Sequence, residues 1–179
     1  MAATTRKPQQ QKKSRRSDRK AEPTAGPVIP SAYLLLALGL VVFAVSMPRF
    51  RDQVVRDNTR GAGNALLLVG EVAKGRGHRD VASLLAEEVT LRHRLPDARA
   101  TSVADRLLMH GYYLDDALLA GGEAALAAWP IEHGRTGDDA WVIRLSDQAL
   151  FQHPNEGRWT GEARPLRDVD LTQGWRRAR

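Results

Sequence analysis

The chain of 179 residues contains no cysteine. That excludes disulfides, thiolate catalysis and cysteine-ligated zinc or iron–sulfur centres. It sets no compartment, because exported domains that build their own core manage without disulfides. Neither an H-E-x-x-H pair nor a G-x-S-x-G elbow occurs, so the zinc-protease and serine-hydrolase signatures are missing. Gly61-Ala62-Gly63-Asn64 has no strand before it and no third glycine, which removes the dinucleotide fingerprint. No motif implies a cofactor. Charge is missing over one long stretch: the twenty-six residues between Glu22 and Arg49 carry none.

The charge that is present is unevenly placed. Residues 1–27 hold eight Lys/Arg against Asp18 and Glu22, which accounts for the whole net charge of +6. The remaining residues balance nineteen basic against nineteen acidic side chains. A neutral body lacks the concentrated basic face that nucleic-acid binding needs, so no nucleic-acid partner is expected. Residues 1–27 have no large apolar residue after Met1 and cannot offset their ordering entropy, which predicts a disordered basic tail.

The uncharged stretch is apolar at its centre, from Tyr33 to Val45. Val28 to Met47 makes twenty residues, about the 30 Å of helix that crosses a hydrocarbon core. Pro27 and Pro30 suit the helix entry, where missing N–H groups cost least. The cationic excess lies before the span, and Arg49, Arg51, Arg56 and Arg60 after it are partly balanced by Asp52 and Asp57. This predicts a cytosolic N-terminus and an extracytoplasmic domain at the bacterial inner membrane. A cleaved signal peptide stays open as an alternative, because Ala44-Val45-Ser46 offers a small-x-small site. Ser14-Arg15-Arg16 with Lys20 is similar to half of a twin-arginine signal, though Asp18 and Arg19 stand where apolar residues belong. The long apolar region and Pro48 favour an uncleaved anchor.

Beyond Arg49, the positions Phe50, Val54, Ala65, Leu68 and Val72, with Asn58 and Gly61, fall on one helical stripe. A second helix is predicted from the N-cap Asp80 to His93, burying Val81, Leu84, Leu85 and Val89 and stopped by Pro96. A third opens with Ser102 and Asp105 and ends near His110-Gly111. The period then shortens. Tyr112–Leu114, Ala125–Ile131, Ala140–Leu145 and Ala149–His153 read as four antiparallel strands, with turns at Gly121-Gly122, Gly134–Asp139 and Ser146–Gln148. Trp141, Ile143 and Leu145 should face the helix, with Val142 and Arg144 facing away. The fold class is therefore α+β, a long N-terminal transmembrane and amphipathic helix packed on a small antiparallel sheet. The expected organisation is a cytosolic tail over 1–27, a membrane helix over 28–47, a domain over 48–165 and a flexible tail over 166–179.

This order of elements resembles the type IV pilins and pseudopilins. Ala44-Val45-Ser46-Met47-Pro48-Arg49-Phe50 looks like the point where a pilin helix leaves the membrane at a proline. His110-Gly111-Tyr112-Tyr113, Trp129-Pro130, Gly134-Arg135-Thr136-Gly137 and the closing Asn155–Gly161 are similar to a sheet module of pilin-like exported proteins. The resemblance covers residues 31–165 and implies fold more than activity. Prepilins carry a Gly–aromatic processing site and a glutamate five residues into the mature helix. Here Pro27 follows Gly26, and Ser31 holds the glutamate position. The resemblance thus implies a pilin-like domain on a permanent anchor, with the lipid bilayer and envelope or secretion-system proteins as partners.

Candidate chemistry is sparse. His78, His93, His110, His133 and His153 lack metal-ligand spacing. Glu132, His133, Asp138 and Asp139 on one hairpin loop could hold a cation through hard oxygen ligands, or simply be solvated. Trp129, Trp141, Trp159 and Trp175 could form a binding platform, or serve as core. The sequence thus favours a non-enzymatic, membrane-tethered protein with a structural or interaction role. The alternative is a small exported enzyme or ligand-binding protein with its site near residues 132–139.

Overall fold

The computed structural model describes residues 31–76, 80–101 and 106–178. It divides into two compact units, Met1–Leu40 and Val41–Arg179. Of the first, residues 31–40 are described; all are helical and exposed. They open helix α1, Ser31–Arg76, which continues through Pro48. An apolar window of this helix reaches a mean hydropathy of 2.0 with none of it buried, so it is long and apolar enough to cross a membrane.

In the second unit, α1 turns one face onto a sheet. The buried stripe is Val55, Thr59, Ala62, Leu66, Val69 and Ala73, spaced four and three residues apart as a helix face requires. It lies one position on from the stripe expected from the sequence. Phe50 and Val54 are exposed, Ala65 is buried, and Leu68 and Val72 pack at the core's edge. The rotation follows from glycine. A Cβ on Gly63 would lie 3.4 Å from the Trp141 indole, and one on Gly70 would lie 2.8 Å from Ile143 Cδ1. The helix therefore meets the sheet along its small residues, where backbones can approach.

Helices α2, Val81–Glu87, and α3, Val89–Arg94, replace the single helix expected from Asp80 to His93. Asp80 does cap α2, its carboxylate accepting from Ser83 N at 2.7 Å. Glu88 adopts an extended backbone between the two helices. That break re-aims the chain, so Leu91 is buried where Val89 was expected.

The third expected helix is corrected. Ser102–Asp105 lie outside the described residues, and Leu107–Met109 form a strand. His110 and Gly111 both have positive φ, 46° and 77°, the backbone of a tight primed turn between twisted strands. Leu107 and Met109 then alternate into the core opposite Leu114 and Tyr112. Hairpin pairing sets the period at two.

Among the described residues, eight strands form the sheet rather than four: β1 Arg99–Ala100, β2 Leu107–Met109, β3 Tyr112–Leu119, β4 Ala124–Pro130, β5 Asp139–Arg144, β6 Ala149–Pro154, β7 Asp168–Val169 and β8 Arg176–Arg177. Their order is β1-β2-β3-β4-β5-β6-β8, all antiparallel, with β7 pairing parallel to the end of β3. The architecture is α+β. Residues 166–179, expected as a flexible tail, thus carry two strands and the buried Leu166 and Val169. One sheet face meets the helices through Leu114, Leu126, Trp141 and Ile143. The other carries Tyr113, Ala127, Trp129 and Val142, packed with Leu166 and Val169. Covering on both faces explains why nearly every residue of β4 is buried.

Candidate functional site

A polar recess in the second unit lies between α1 and the start of β5. Arg56, Thr59 and Arg60 come from α1, Asp138 from the β4–β5 connection, Asp139 and Trp141 from β5, Gln152 from β6, and Ala178 follows β8. The space is about 400 Å³, within the size range of small-ligand pockets. Arg56 and Arg60 are one helical turn apart, so their cationic heads share a face.

Thr59 and Tyr112 close the inner end. Thr59 Oγ1 donates to Val55 O at 2.8 Å and lies 3.0 Å from the Tyr112 hydroxyl. With its single hydrogen given to Val55, Thr59 accepts from Tyr112. The Tyr112 ring lies against Gly137, where any Cβ would collide with the phenol. Burial pushes the Tyr112 hydroxyl up to about 12, against the opposing effect of the Thr59 bond, and the nearby Asp139 and Asp138 carboxylates add to the rise. A phenol held protonated in this way is not poised as a base near neutral pH.

The carboxylate side is partly engaged. Gln152 Nε2 donates to Asp139 Oδ2 at 2.7 Å. Asp138 is exposed, and its carbonyl accepts from Asn155 N at 3.1 Å. Trp141 is 8% exposed, and its indole N–H has no hydrogen-bond partner among the described residues. An unpaired buried donor costs about 1–3 kcal/mol.

The four loop residues named from the sequence do not converge. Asp138 and Asp139 line the recess, whereas Glu132 pairs with Arg135 at 3.1 Å. His133 is exposed, its backbone N–H donating to Thr160 Oγ1 at 3.4 Å. Among the described residues, no group of three or more His, Asp or Glu side chains is placed to hold a metal ion.

The tryptophans likewise divide. Trp129 and Trp141 belong to opposite faces of the sheet, and Trp129 Nε1 donates to Gly161 O at 2.9 Å. Trp159 and Trp175 do meet, 5.7 Å between centroids, with the buried His153 ring 5.2 Å from one and 5.1 Å from the other. This cluster staples the C-terminal strand to β6. His153 and Trp175 are twenty-two residues apart, with no local signal beyond the residue types.

Comparison of the chain with family models, with curated proteins and with solved structures finds no match.

Proposed function

We propose that this chain is a membrane-anchored, non-enzymatic protein. A pilin-like domain stands outside the bacterial inner membrane, the N-terminus faces the cytosol, and the domain contacts envelope or secretion-system proteins. The observation that carries this reading is α1 itself. Its first part is apolar and bare, and its second part supplies the buried stripe of the domain, within one helix. A soluble core helix would bury the apolar part instead. The Thr59 and Tyr112 hydroxyls bond to each other, and the Asp139 and Glu132 carboxylates are engaged by Gln152 and Arg135.

Alkaline carbonate extraction tests the anchor. The full-length chain should stay in the membrane pellet and should retain envelope proteins when captured in mild detergent. Release of a soluble species beginning near Met47 would contradict the anchored reading. The paired charges of the recess support a second reading, in which the space between Arg56, Arg60 and Asp139 takes a small polar ligand. Saturable calorimetric binding of a zwitterionic compound, abolished by Arg56→Ala with Arg60→Ala, would favour it.

A further inference from the structure

We propose that Met47, Phe50 and Val54 form a second membrane contact, seating the start of the domain in the lipid headgroup layer. The inference rests on the anchored reading and specifies what the helix does after leaving the hydrocarbon. The three side chains are 50%, 64% and 53% exposed. Their spacing of three and four residues puts them on one stripe of α1. The same stripe is covered by protein further along. Asn58 Nδ2 donates to Thr136 O at 3.1 Å, a Cβ on Gly61 would lie 3.4 Å from the His110 ring, and Ala65 is buried. Only the part nearest the apolar segment is bare.

Length and charge commit that bare part to lipid. Met47 to Val54 is about 10 Å of helix rise, against a headgroup layer of about 5–8 Å on each side of the hydrocarbon. Phe50 falls within the layer, and Val54 lies just beyond it with its side chain tilted back toward the helix N-terminus and the layer. Arg49 and Arg51, on either side of Phe50 in the chain, are exposed, and guanidinium groups at this depth reach lipid phosphates. Arg51 also donates to Gly134 O at 2.8 Å, fixing the tip of the β4–β5 hairpin beside the helix. A recess of about 470 Å³ opens there, lined by Ala44, Met47 and Pro48, by Arg51 and Asp52 on the next turn of α1, and by Gly134. With both apolar and charged residues in its lining, it suits the glycerol and upper acyl region of a phospholipid. The domain is thereby held against the bilayer surface instead of swinging on a free linker.

The absence of native cysteine makes the test direct. Leu38, Phe50, Gln53 and Val54 are each replaced by Cys in the full chain and labelled with an environment-sensitive nitrobenzoxadiazole fluorophore. The proteins are reconstituted in phosphatidylethanolamine–phosphatidylglycerol vesicles containing spin-labelled lipids. Leu38 should be quenched by lipids labelled deep in the acyl chain. Phe50 and Val54 should be blue-shifted and quenched several-fold more by lipids labelled near the carbonyl than Gln53, which lies on the polar side with Arg56 and Arg60. Quenching at Leu38 with Phe50 and Val54 as solvent-like as Gln53 overturns the docking while leaving the anchor standing. No quenching at Leu38 overturns the anchor and the docking with it. A blue shift at Phe50 without lipid quenching, together with disulfide-linked Phe50→Cys dimers, assigns the stripe to a second copy of the chain and also overturns the proposal.

Discussion

Ile143 Cδ1 stands 2.8 Å from the place a Cβ on Gly70 would occupy, so the α1 backbone rests directly on the Ile143 side chain of β5. Ile143 is fully buried and has little room to turn aside. Gly70→Ala should therefore cost about 1–3 kcal/mol from overpacking, reduced by the roughly 0.5–1 kcal/mol that Ala gains in a helix. Gly63 meets the Trp141 ring at an ordinary 3.4 Å, so Gly63→Ala should be neutral or slightly stabilising. Urea denaturation of both variants, followed by circular dichroism, checks the contrast. Equal effects would misplace the helix on the sheet.

Trp141 fills the same contact from the sheet side and is buried. Trp141→Ala should cost about 3–5 kcal/mol through lost burial and the cavity it leaves. His133→Ala, at an exposed loop position, should change the urea midpoint by less than the experimental scatter. A Trp141→Ala protein of undiminished stability would mean that the register of β5 is wrong.

Arg106 and Asp115 form a buried ion pair at 2.9 Å, with side chains 4% and 11% exposed. The guanidinium also lies over the Trp129 ring at 5.4 Å. Asp115→Ala should cost about 3–5 kcal/mol, because it leaves a buried charge without its counterion. Arg106→Met with Asp115→Leu should restore most of that loss. A double variant as unstable as the single one would show that the pair's partners outside this contact dominate.

Stability should fall in alkali. Burial raises the Tyr112 phenol to about 12 from an ordinary 10, so between these values the folded chain holds a proton that the unfolded chain releases. The contribution is fully present below pH 10 and is lost as pH rises through 12. Tyr113 is raised as well, chiefly by burial and by Glu162. Tyr112→Phe should accordingly flatten the decline measured by urea midpoints from pH 9 to 11.5 without abolishing it. An unchanged slope would contradict the burial of the Tyr112 hydroxyl.

Strong local patterns were legible in the sequence. The apolar run, the Asp80 cap and the alternation through Trp141 and Ile143 each rest on neighbouring residues and appear where expected. The packing face of α1 was not, because Gly63 and Gly70 carry no hydrophobic signal and act by having no side chain. β7 and β8 are two residues each, too short for alternation to show. They exist because Leu166, Val169 and Trp175 cover a sheet face that the sequence reading left open to solvent. The candidate recess was half visible. Asp138 and Asp139 were named from their loop, but Arg56 and Arg60 lie some eighty residues earlier, and only the pairing of α1 with β5 joins them.

The central claim is that an uncleaved helix holds the domain outside the membrane. Lys74 is exposed near the end of α1, and the chain has no native cysteine, so Lys74→Cys reports on the side reached by the domain. A membrane-impermeant maleimide applied to intact spheroplasts should label this variant fully, as a full-length, carbonate-resistant band. Labelling only after permeabilisation, or on a soluble band beginning near Met47, would contradict the account.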